Sequence, residues 1–334
     1  MVRRGVLAGL AGAALWIAGC SSQAHDSASS GMPAPGKSGQ PTASSDHAAP
    51  EAPSQAHAPA ATATSRAQSP PDTSAYPWHN DPSIKPLTAV DRLEDRFAPP
   101  AGFVRVPLEP GSFGAWLRDL PLAAASTPVV AYDGRELHAA SDERIAAVAT
   151  LDTGKADLQQ CADAVMRLHA EWSFSRGTPN VSYQAASGTA LPFARWAHGE
   201  RIVVHGKDVT WAPSARPSSD HATFRQYLDA VFSWANTVSL ARQAKPVTLE
   251  NLRPGDFFVI GGSPGHTVLV LDMARAENGS RAVLLGQSYM PAQSYQVIRP
   301  SAQQAWFTVD PASAGIQTPF WPDPFPWSSI RRLD

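Results

Sequence analysis

The pattern of apolar positions becomes regular only after about residue 76. From Ser21 to Ala75 the chain is rich in Ala, Pro, Ser and Thr and has few large apolar side chains. A segment of this composition cannot offset the entropy lost on ordering, so a disordered tether is predicted over 20–75. Residues 76–334 are dense in Trp, Phe, Val and Leu, and we expect them to form a single globular domain.

Two stretches of this domain have apolar residues at helical spacing. In 157–172 (DLQQCADAVMRLHAEW) the residues Leu158 and Val165 fall on one apolar face, and Asp157 is a good N-cap. We therefore expect a helix that begins at Asp157. Residues 224–243 repeat apolar positions in the same way, which predicts one long amphipathic helix.

Strands are predicted where β-branched and apolar residues run together between turn residues. The predicted strands are 145–152, 256–260, 266–274 and 281–288, with hairpins at 128–137 (turn at Asp133–Gly134), 201–212 (turn near Gly206) and 266–288 (turn at Asn278–Gly279). Helices and strands do not alternate strictly, so the predicted fold class is α+β, an antiparallel sheet with packed helices. The segment 261–265 matches G-x-S-x-G, but a strand follows it, so we expect a strand connection instead of a nucleophile elbow.

The amino terminus has the parts of a secretory signal. After two arginines, the apolar run 6–18 is too short to span a bilayer, and the sequence IAGC at 17–20 resembles a bacterial lipobox. This resemblance implies that 1–19 is a signal peptide and that Cys20 is lipidated. Ser21 follows, where inner-membrane retention signals have aspartate, which implies the periplasmic face of the outer membrane. An ordinary signal peptide with a chance cysteine is the alternative.

The net charge of the chain and the spacing of its histidines bear on which partners and metal ions it could bind. The formal net charge is -2, with acidic and basic residues interspersed, so nothing drives the chain toward nucleic acid. The histidines have no spacing typical of a zinc site, and neither a metal nor an organic cofactor is expected. The expected contact with a membrane is through the lipid on Cys20.

Cys161 is the other cysteine of the chain and then has no disulfide partner. An ordinary cysteine has a pKa of about 8.5, and a helix N-terminus lowers it by roughly one unit. A neighbouring imidazolium would therefore be required to make the thiolate dominant. The alternative is a small buried core residue, because Cys161 borders the apolar face of its helix.

His266 is the histidine best placed to act as a base. It opens the predicted strand 266–274 on rigid backbone, and the next strand returns Gln287, Ser288 and Tyr289 alongside it. We predict Cys161 as nucleophile, His266 as general base, and Gln287 or Ser288 as the group that orients the imidazole.

The order of these residues resembles papain-like cysteine peptidases, in particular the NlpC/P60 group. In that group a PGD strand precedes a GHxxxxL strand, as Pro254–Asp256 and Gly265–His266 do here. The resemblance implies a papain-like core and a glutamine before the cysteine that binds the oxyanion. Gln159 and Gln160 lie in range for that role, at a spacing that differs from the family's.

A longer resemblance covers roughly 90–334. The stretches QCAD (160–163), GGSPGHTVLVLDMA (261–274), LLGQSYMPAQ (284–293) and TPFWPDPFPW (318–327) resemble the bacterial domain-of-unknown-function family 4846. This resemblance implies one domain of an envelope protein and implies no activity.

A binding groove is suggested by the segment MPAQSY (290–295) together with three tryptophans. Trp306, Trp321 and Trp327 suit a glycan or peptide stem, and plain packing of the C-terminal segment is the alternative. The candidate binding residues are Gln160, Tyr289, Gln293 and Trp306. Two functions follow: a lipid-anchored cysteine hydrolase that cleaves an amide bond in peptidoglycan or a peptide, and a non-catalytic envelope lipoprotein that binds peptidoglycan or a protein partner.

Overall fold

Short helices and antiparallel strands alternate irregularly along the part of the chain that the structure, a computed structural model, describes. That part is 70–334 without residues 178 and 207. The predicted signal peptide, Cys20 and nearly all of the predicted tether lie outside the described residues.

The bounds of the elements are as follows. The helices are α1 (Pro77–Asn80), α2 (Leu93–Arg96), α3 (Phe113–Arg118), α4 (Cys161–Ser175), α5 (Phe193–Ala197), α6 (His221–Trp234) and α7 (Thr237–Gln243), with 3-10 turns at Leu249–Asn251 and Trp327–Ser329. The strands are β1 (Asp91–Arg92), β2 (Phe103–Arg105), β3 (Pro121–Leu122), β4 (Val129–Val130), β5 (Glu136–His138), β6 (Ile145–Val148), β7 (Ser182–Gln184), β8 (Ala190–Pro192), β9 (Glu200–His205), β10 (Asp208–Pro213), β11 (Lys245–Pro246), β12 (Phe257–Ile260), β13 (His266–Ala276), β14 (Arg281–Gln287), β15 (Gln296–Ile298), β16 (Phe307–Val309), β17 (Gly315–Ile316), β18 (Phe325–Pro326) and β19 (Ile330–Arg332).

The central sheet has the strand order β11-β19-β12-β13-β14-β15-β6, with β2 added on β13 and β16 added on β14. Each of these neighbours pairs antiparallel. The α+β class with an antiparallel sheet is therefore confirmed. The predicted hairpins are also confirmed: β4 pairs with β5, β9 with β10, and β13 with β14.

Both faces of the sheet are buried. Alternate residues of one strand enter different apolar clusters: Phe257 packs in the cluster that holds α4, and Phe258 packs in a second cluster with Phe325 from the C-terminal segment. The helix α4 lies against β13 and β14. Because neither face meets water, the strands are continuous apolar runs in the sequence instead of an alternating pattern.

The helix that carries Cys161 begins four residues later than predicted. Its N-cap is Gln160, whose side chain accepts the N–H of Asp163, while the Asp163 carboxylate accepts the N–H of Gln160. Asp157 is occupied elsewhere, since its carboxylate accepts the backbone N–H of Ala292. The predicted N-cap at Asp157 was wrong because this tertiary contact competes with the local one. Cys161 is consequently the first residue of α4.

The predicted long helix 224–243 is two helices, α6 and α7. The break is at Ala235, whose backbone is extended, and Asn236, whose side chain accepts the N–H of Ser239 and caps α7. A strong capping residue inside an apolar pattern ends one helix and starts the next. Residues from this break line the cavity beside Cys161.

Candidate functional site

The start of α4 places the Cys161 sulfur at the beginning of β13. The backbone N–H groups of Ala162, Thr267 and Cys161 itself interact with the sulfur. Thr267 is the residue after His266, so nucleophile and base candidates lie on neighbouring elements. No hydrogen bond joins the sulfur to the imidazole within the described residues. The side chain is 6% exposed.

The resting thiol is protonated. Burial, and next the charge of Asp163, raise the pKa of Cys161 to about 12, although the three backbone N–H groups oppose the rise. The helix N-terminus alone would favour the thiolate by about 1 kcal/mol, so desolvation outweighs the helix here. The lowered pKa that the helix position suggested is thus reversed by the tertiary environment.

His266 is fixed by a hydrogen bond to Gln287. Its Nε2–H donates to Gln287 Oε1 at 2.8 Å, across the neighbouring strands β13 and β14. Burial lowers the pKa of His266 to about 4, and the bond to Gln287 opposes the fall. The imidazole is therefore neutral near pH 7. Because Nε2 carries the proton, Nδ1 has the free lone pair that a general base needs.

Aromatic rings enclose the imidazole. Trp321 stacks on it with ring centroids 5.4 Å apart, and Tyr289 meets it edge-on at 4.7 Å. Burial raises the pKa of Tyr289, and the charge of an ionised Cys161 raises it further, so the phenol lies near both candidates. The Tyr289 hydroxyl donates to the carbonyl of Phe320. The C-terminal segment thereby covers His266, which is 1% exposed.

A cavity of about 210 Å³ adjoins Cys161. It is lined on one side by the start of α4 and on the other by the α6–α7 break and the turn 262–265 that joins β12 to β13. The G-x-S-x-G match falls in this turn and a strand follows, as the sequence predicted. A water molecule occupies about 30 Å³, so the cavity has room for a few atoms of a substrate but not for a long chain.

The other polar candidates, Ser288, Gln159 and Gln160, make hydrogen bonds within the fold. Ser288 donates to the carbonyls of Gln159 and Gln293, not to the imidazole, so of the two predicted orienting groups the structure brings Gln287 to His266. The Gln159 amide is bonded to Arg167 and to the carbonyl of Asp152. Gln160 caps α4 and donates to Asp157. Neither glutamine presents a free amide to an oxyanion in this structure.

A buried ionic network supports the segment before Cys161. Arg167, which is fully buried, bonds Gln159, Asp152 and Glu171. Glu171 accepts from His221, whose other ring nitrogen contacts the Asp81 carboxylate at 2.7 Å. The network connects Arg167 and Glu171 of α4 to His221 of α6 and to Asp81, which follows α1.

The remaining predicted binding residues lie in the interior. Trp306 is 3% exposed, packs in the core cluster with α4 and donates to the carbonyl of Ala98. Trp327 packs on Phe258, so for these two tryptophans packing is the role that the structure shows. Gln293 is buried, bridges Ala131 and accepts Ser288 through its carbonyl. Of the three tryptophans, Trp321 alone contacts a candidate catalytic residue.

Two residues of the site were missed by sequence reasoning. Asp163 lines the cavity and is 7% exposed, and one of its carboxylate oxygens has no partner among the described residues. Its position two residues after the cysteine was the available signal. The N–H of Thr267 could not be identified from the sequence, since every residue except proline has a backbone N–H.

In 70–334, outside the gaps, no group of three or more His, Cys, Asp or Glu side chains is placed to hold a metal ion. None of the described helices is both long and apolar enough to cross a bilayer.

Comparison with known proteins gives a family and no activity. No curated protein and no solved structure matches the chain. The sequence of residues 93–332 matches the family described as Domain of unknown function (4846), which covers well over half of the chain. This span contains the helix α4, the strands β13 and β14 and the whole candidate site. The chain belongs to the domain of unknown function family 4846.

Proposed function

We propose that this protein is a cysteine hydrolase that cleaves an amide bond in peptidoglycan or a peptide, with Cys161 as nucleophile, His266 as general base and Gln287 as the orienting group. The observation that carries the proposal is the 2.8 Å bond from His266 Nε2–H to Gln287 Oε1. It leaves Nδ1 as the basic nitrogen of His266. His266 begins strand β13, and the N–H of the next residue, Thr267, interacts with the Cys161 sulfur.

Because both groups are neutral at rest, the proton moves during the attack and no ion pair precedes it. His266 Nδ1 takes the thiol proton as the sulfur adds to the amide carbonyl carbon. The imidazolium then gives the proton to the leaving nitrogen, and the carbon–nitrogen bond breaks to leave a thioester on Cys161. Water, deprotonated by the same nitrogen, attacks the thioester, and the acid and the thiol are released.

Backbone groups serve as the oxyanion donors in this proposal. The N–H groups of Cys161 and Ala162 belong to the first turn of α4, where N–H groups have no partner within the helix. Their interaction with the sulfur supports this role, because it places them beside the reacting atom. Gln159 and Gln160 are bonded elsewhere, so the glutamine of the papain pattern is replaced by backbone here.

The architecture and location belong to the same proposal. A helix that begins with the cysteine, packed on an antiparallel sheet that carries the histidine, supports a papain-like core with similarity to NlpC/P60 peptidases. The IAGC sequence at 17–20 supports lipidation of Cys20 and attachment to the cell envelope, on the periplasmic face of the outer membrane. Mass analysis of the mature protein tests this part, because Cys20→Ser should abolish a diacylglyceryl adduct.

The activity is tested by digestion. Purified peptidoglycan and a mixture of short peptides are incubated with wild type, Cys161→Ala and His266→Ala, and the products are read by mass. We expect new amine and acid ends with wild type and a loss of at least about a hundredfold in both variants, which is typical for removal of a nucleophile or base. Equal products from all three proteins would contradict the proposal.

A second candidate is a non-catalytic envelope lipoprotein that binds peptidoglycan or a protein partner. The observation in its favour is the pair of opposed shifts, a thiol pKa of about 12 beside an imidazole pKa of about 4, in residues that are nearly closed to solvent. Sedimentation with insoluble peptidoglycan, without any new chain ends, would select this function over the hydrolase.

A further inference from the structure

The titratable residues that line the cavity beside Cys161 are acidic, apart from the cysteine itself. Its lining includes two acidic residues, Asp157 and Asp163, and no Lys, Arg or His. The rest of the lining is backbone, small polar groups such as Asn236 and Thr237, and apolar side chains. Burial raises the pKa of Asp163 well above its ordinary value, and a cationic group in the cavity opposes that rise because it favours the ionised carboxylate. Such a cavity favours a cationic group over an anionic one.

The two carboxylates differ in what they still can bind. Asp157 is exposed to water, and its Oδ1 accepts hydrogen bonds from the Gln160 side chain and from the backbone N–H of Ala292. Asp163 uses Oδ2 to accept the N–H of Gln160, but Oδ1 is buried without a partner among the described residues. An unpaired acceptor at a buried position loses its hydration and gains no hydrogen bond in exchange, which is unfavourable. A ligand that donates to Oδ1 supplies the missing hydrogen bond.

We propose that Asp163 binds a protonated amino group of the substrate in the cavity beside Cys161. The proposal rests on the proposed hydrolase function and names its substrate class: an amide compound that carries a free ammonium group close to the bond to be cleaved. Asp163 lies two residues after Cys161, in the same first turn of α4, so an ammonium on this carboxylate brings its own neighbouring carbonyl group to the sulfur.

The bound charge also changes the nucleophile. When it is ionised, the Asp163 carboxylate disfavours a thiolate at Cys161, as the raised pKa of the thiol reflects after the larger effect of burial. An ammonium on Asp163 cancels that repulsion and favours the ionised sulfur. The cationic substrate therefore assists the step that the empty site opposes, and a substrate with a blocked amine lacks both the contact and the assistance.

The test measures charge preference at Cys161 without any need for hydrolysis. Wild type, Asp163→Asn and Asp157→Asn are treated with 2-aminoethyl and 2-sulfonatoethyl methanethiosulfonate, which carry opposite charges and modify the same thiol. Asparagine at 163 retains an oxygen for the N–H of Gln160, so the cap of α4 persists. We expect wild type to react at least about tenfold faster with the cation than with the anion, and Asp163→Asn to lose most of that ratio.

Asp157→Asn is the matched control, since Asp157 lines the same cavity but is exposed to water, which screens its charge. Its ratio should stay within about twofold of wild type. An unchanged ratio in Asp163→Asn, or an equal fall in both variants, would overturn the assignment.

A measurement on wild type alone covers the case in which a variant fails to fold. L-Alaninamide should protect Cys161 from the neutral reagent methyl methanethiosulfonate, and N-acetyl-L-alaninamide should protect it several-fold less. Equal protection by the two, or protection by neither, would count against the ammonium site.

Failure of the hydrolase proposal is distinguishable from failure of the ammonium site. If the hydrolase proposal alone fails, no amide is cleaved, yet the charge preference persists. If peptides with free and with acetylated amino ends are cleaved at the same rate, the hydrolase stands and the role of Asp163 falls.

Discussion

The buried, neutral imidazole of His266 makes the protein sensitive to acid by a predictable amount. Its pKa falls from an ordinary 6.5 to about 4, chiefly because of burial. In the unfolded chain the ring binds a proton below about pH 6.5, whereas in the folded protein it does so only below about pH 4. Between these values the unfolded state holds more protons, so stability falls as the pH falls. One pKa unit is about 1.36 kcal/mol, which gives a loss of about 2 kcal/mol at about pH 5 and about 3 kcal/mol at about pH 4.

The assay is urea denaturation of wild type and His266→Gln at about pH 8 and about pH 5. Glutamine does not titrate in this range, and its amide can donate to Gln287, so the variant keeps a partner for that acceptor. Subtracting the pH dependence of the variant from that of wild type removes the contribution of other groups, including His169, whose pKa burial also lowers to about 4. After this subtraction, we expect the free energy of unfolding of wild type to be about 2 kcal/mol lower at about pH 5 than at about pH 8. A difference near zero would mean that the ring is hydrated in solution, and the enclosed geometry of the site would be refuted.

Three further predictions concern the contacts around the site. Replacing Gln287 with Leu should destabilise the protein by about 1–3 kcal/mol in urea denaturation, because the buried Nε2–H loses its acceptor, and should also lower the rate of the proposed hydrolysis; a variant as stable as wild type would contradict the bond. Arg167→Met should cost about 3–5 kcal/mol by the same assay, since it removes a cationic partner from buried Glu171 and from Asp152, and a loss below about 1 kcal/mol would argue against the network. Burial lowers the pKa of His221, but the carboxylates of Glu171 and Asp81 outweigh it and raise the net value. The stability that wild type gains over His221→Gln should therefore be full below about pH 6.5 and be lost as the pH rises through the raised folded pKa; a gain that grows with pH would refute this.

The sheet that carries the histidine was predictable because its register is local. A turn at Asn278–Gly279 brings the two strands together, and Arg275 pairs with Arg281 next to it. An irregularity between Val270 and Asp272, which the sequence did not predict, then shifts the register by one residue, so that Leu269 pairs with Gly286. His266 and Gln287 thus come close for reasons visible in about twenty residues of sequence. The period-two pattern that would have told the two faces apart is absent because both are buried.

The start of α4 and the charge of its thiol depend on contacts from distant parts of the chain. Ala292 draws Asp157 away from the helix, so that Gln160 becomes the cap. The pKa of Cys161 is decided by burial, which no local pattern encodes. Trp321 reaches His266 from the C-terminal segment, and the sequence shows only that aromatic residues are available there. Pairing along strands is therefore encoded locally, whereas the solvation of the site is a property of the assembled fold.

In the proposed reaction the Cys161 sulfur, deprotonated by His266, becomes covalently acylated. This acylation is tested most directly by acid-quenching the protein during digestion of peptidoglycan peptides and measuring the mass of the proteolytic fragment that contains residue 161. We expect a thioester adduct on that fragment in wild type, none in Cys161→Ala, and a strongly reduced amount in His266→Ala. Cleaved products that accumulate in wild type without an adduct, or equally in Cys161→Ala, would contradict it.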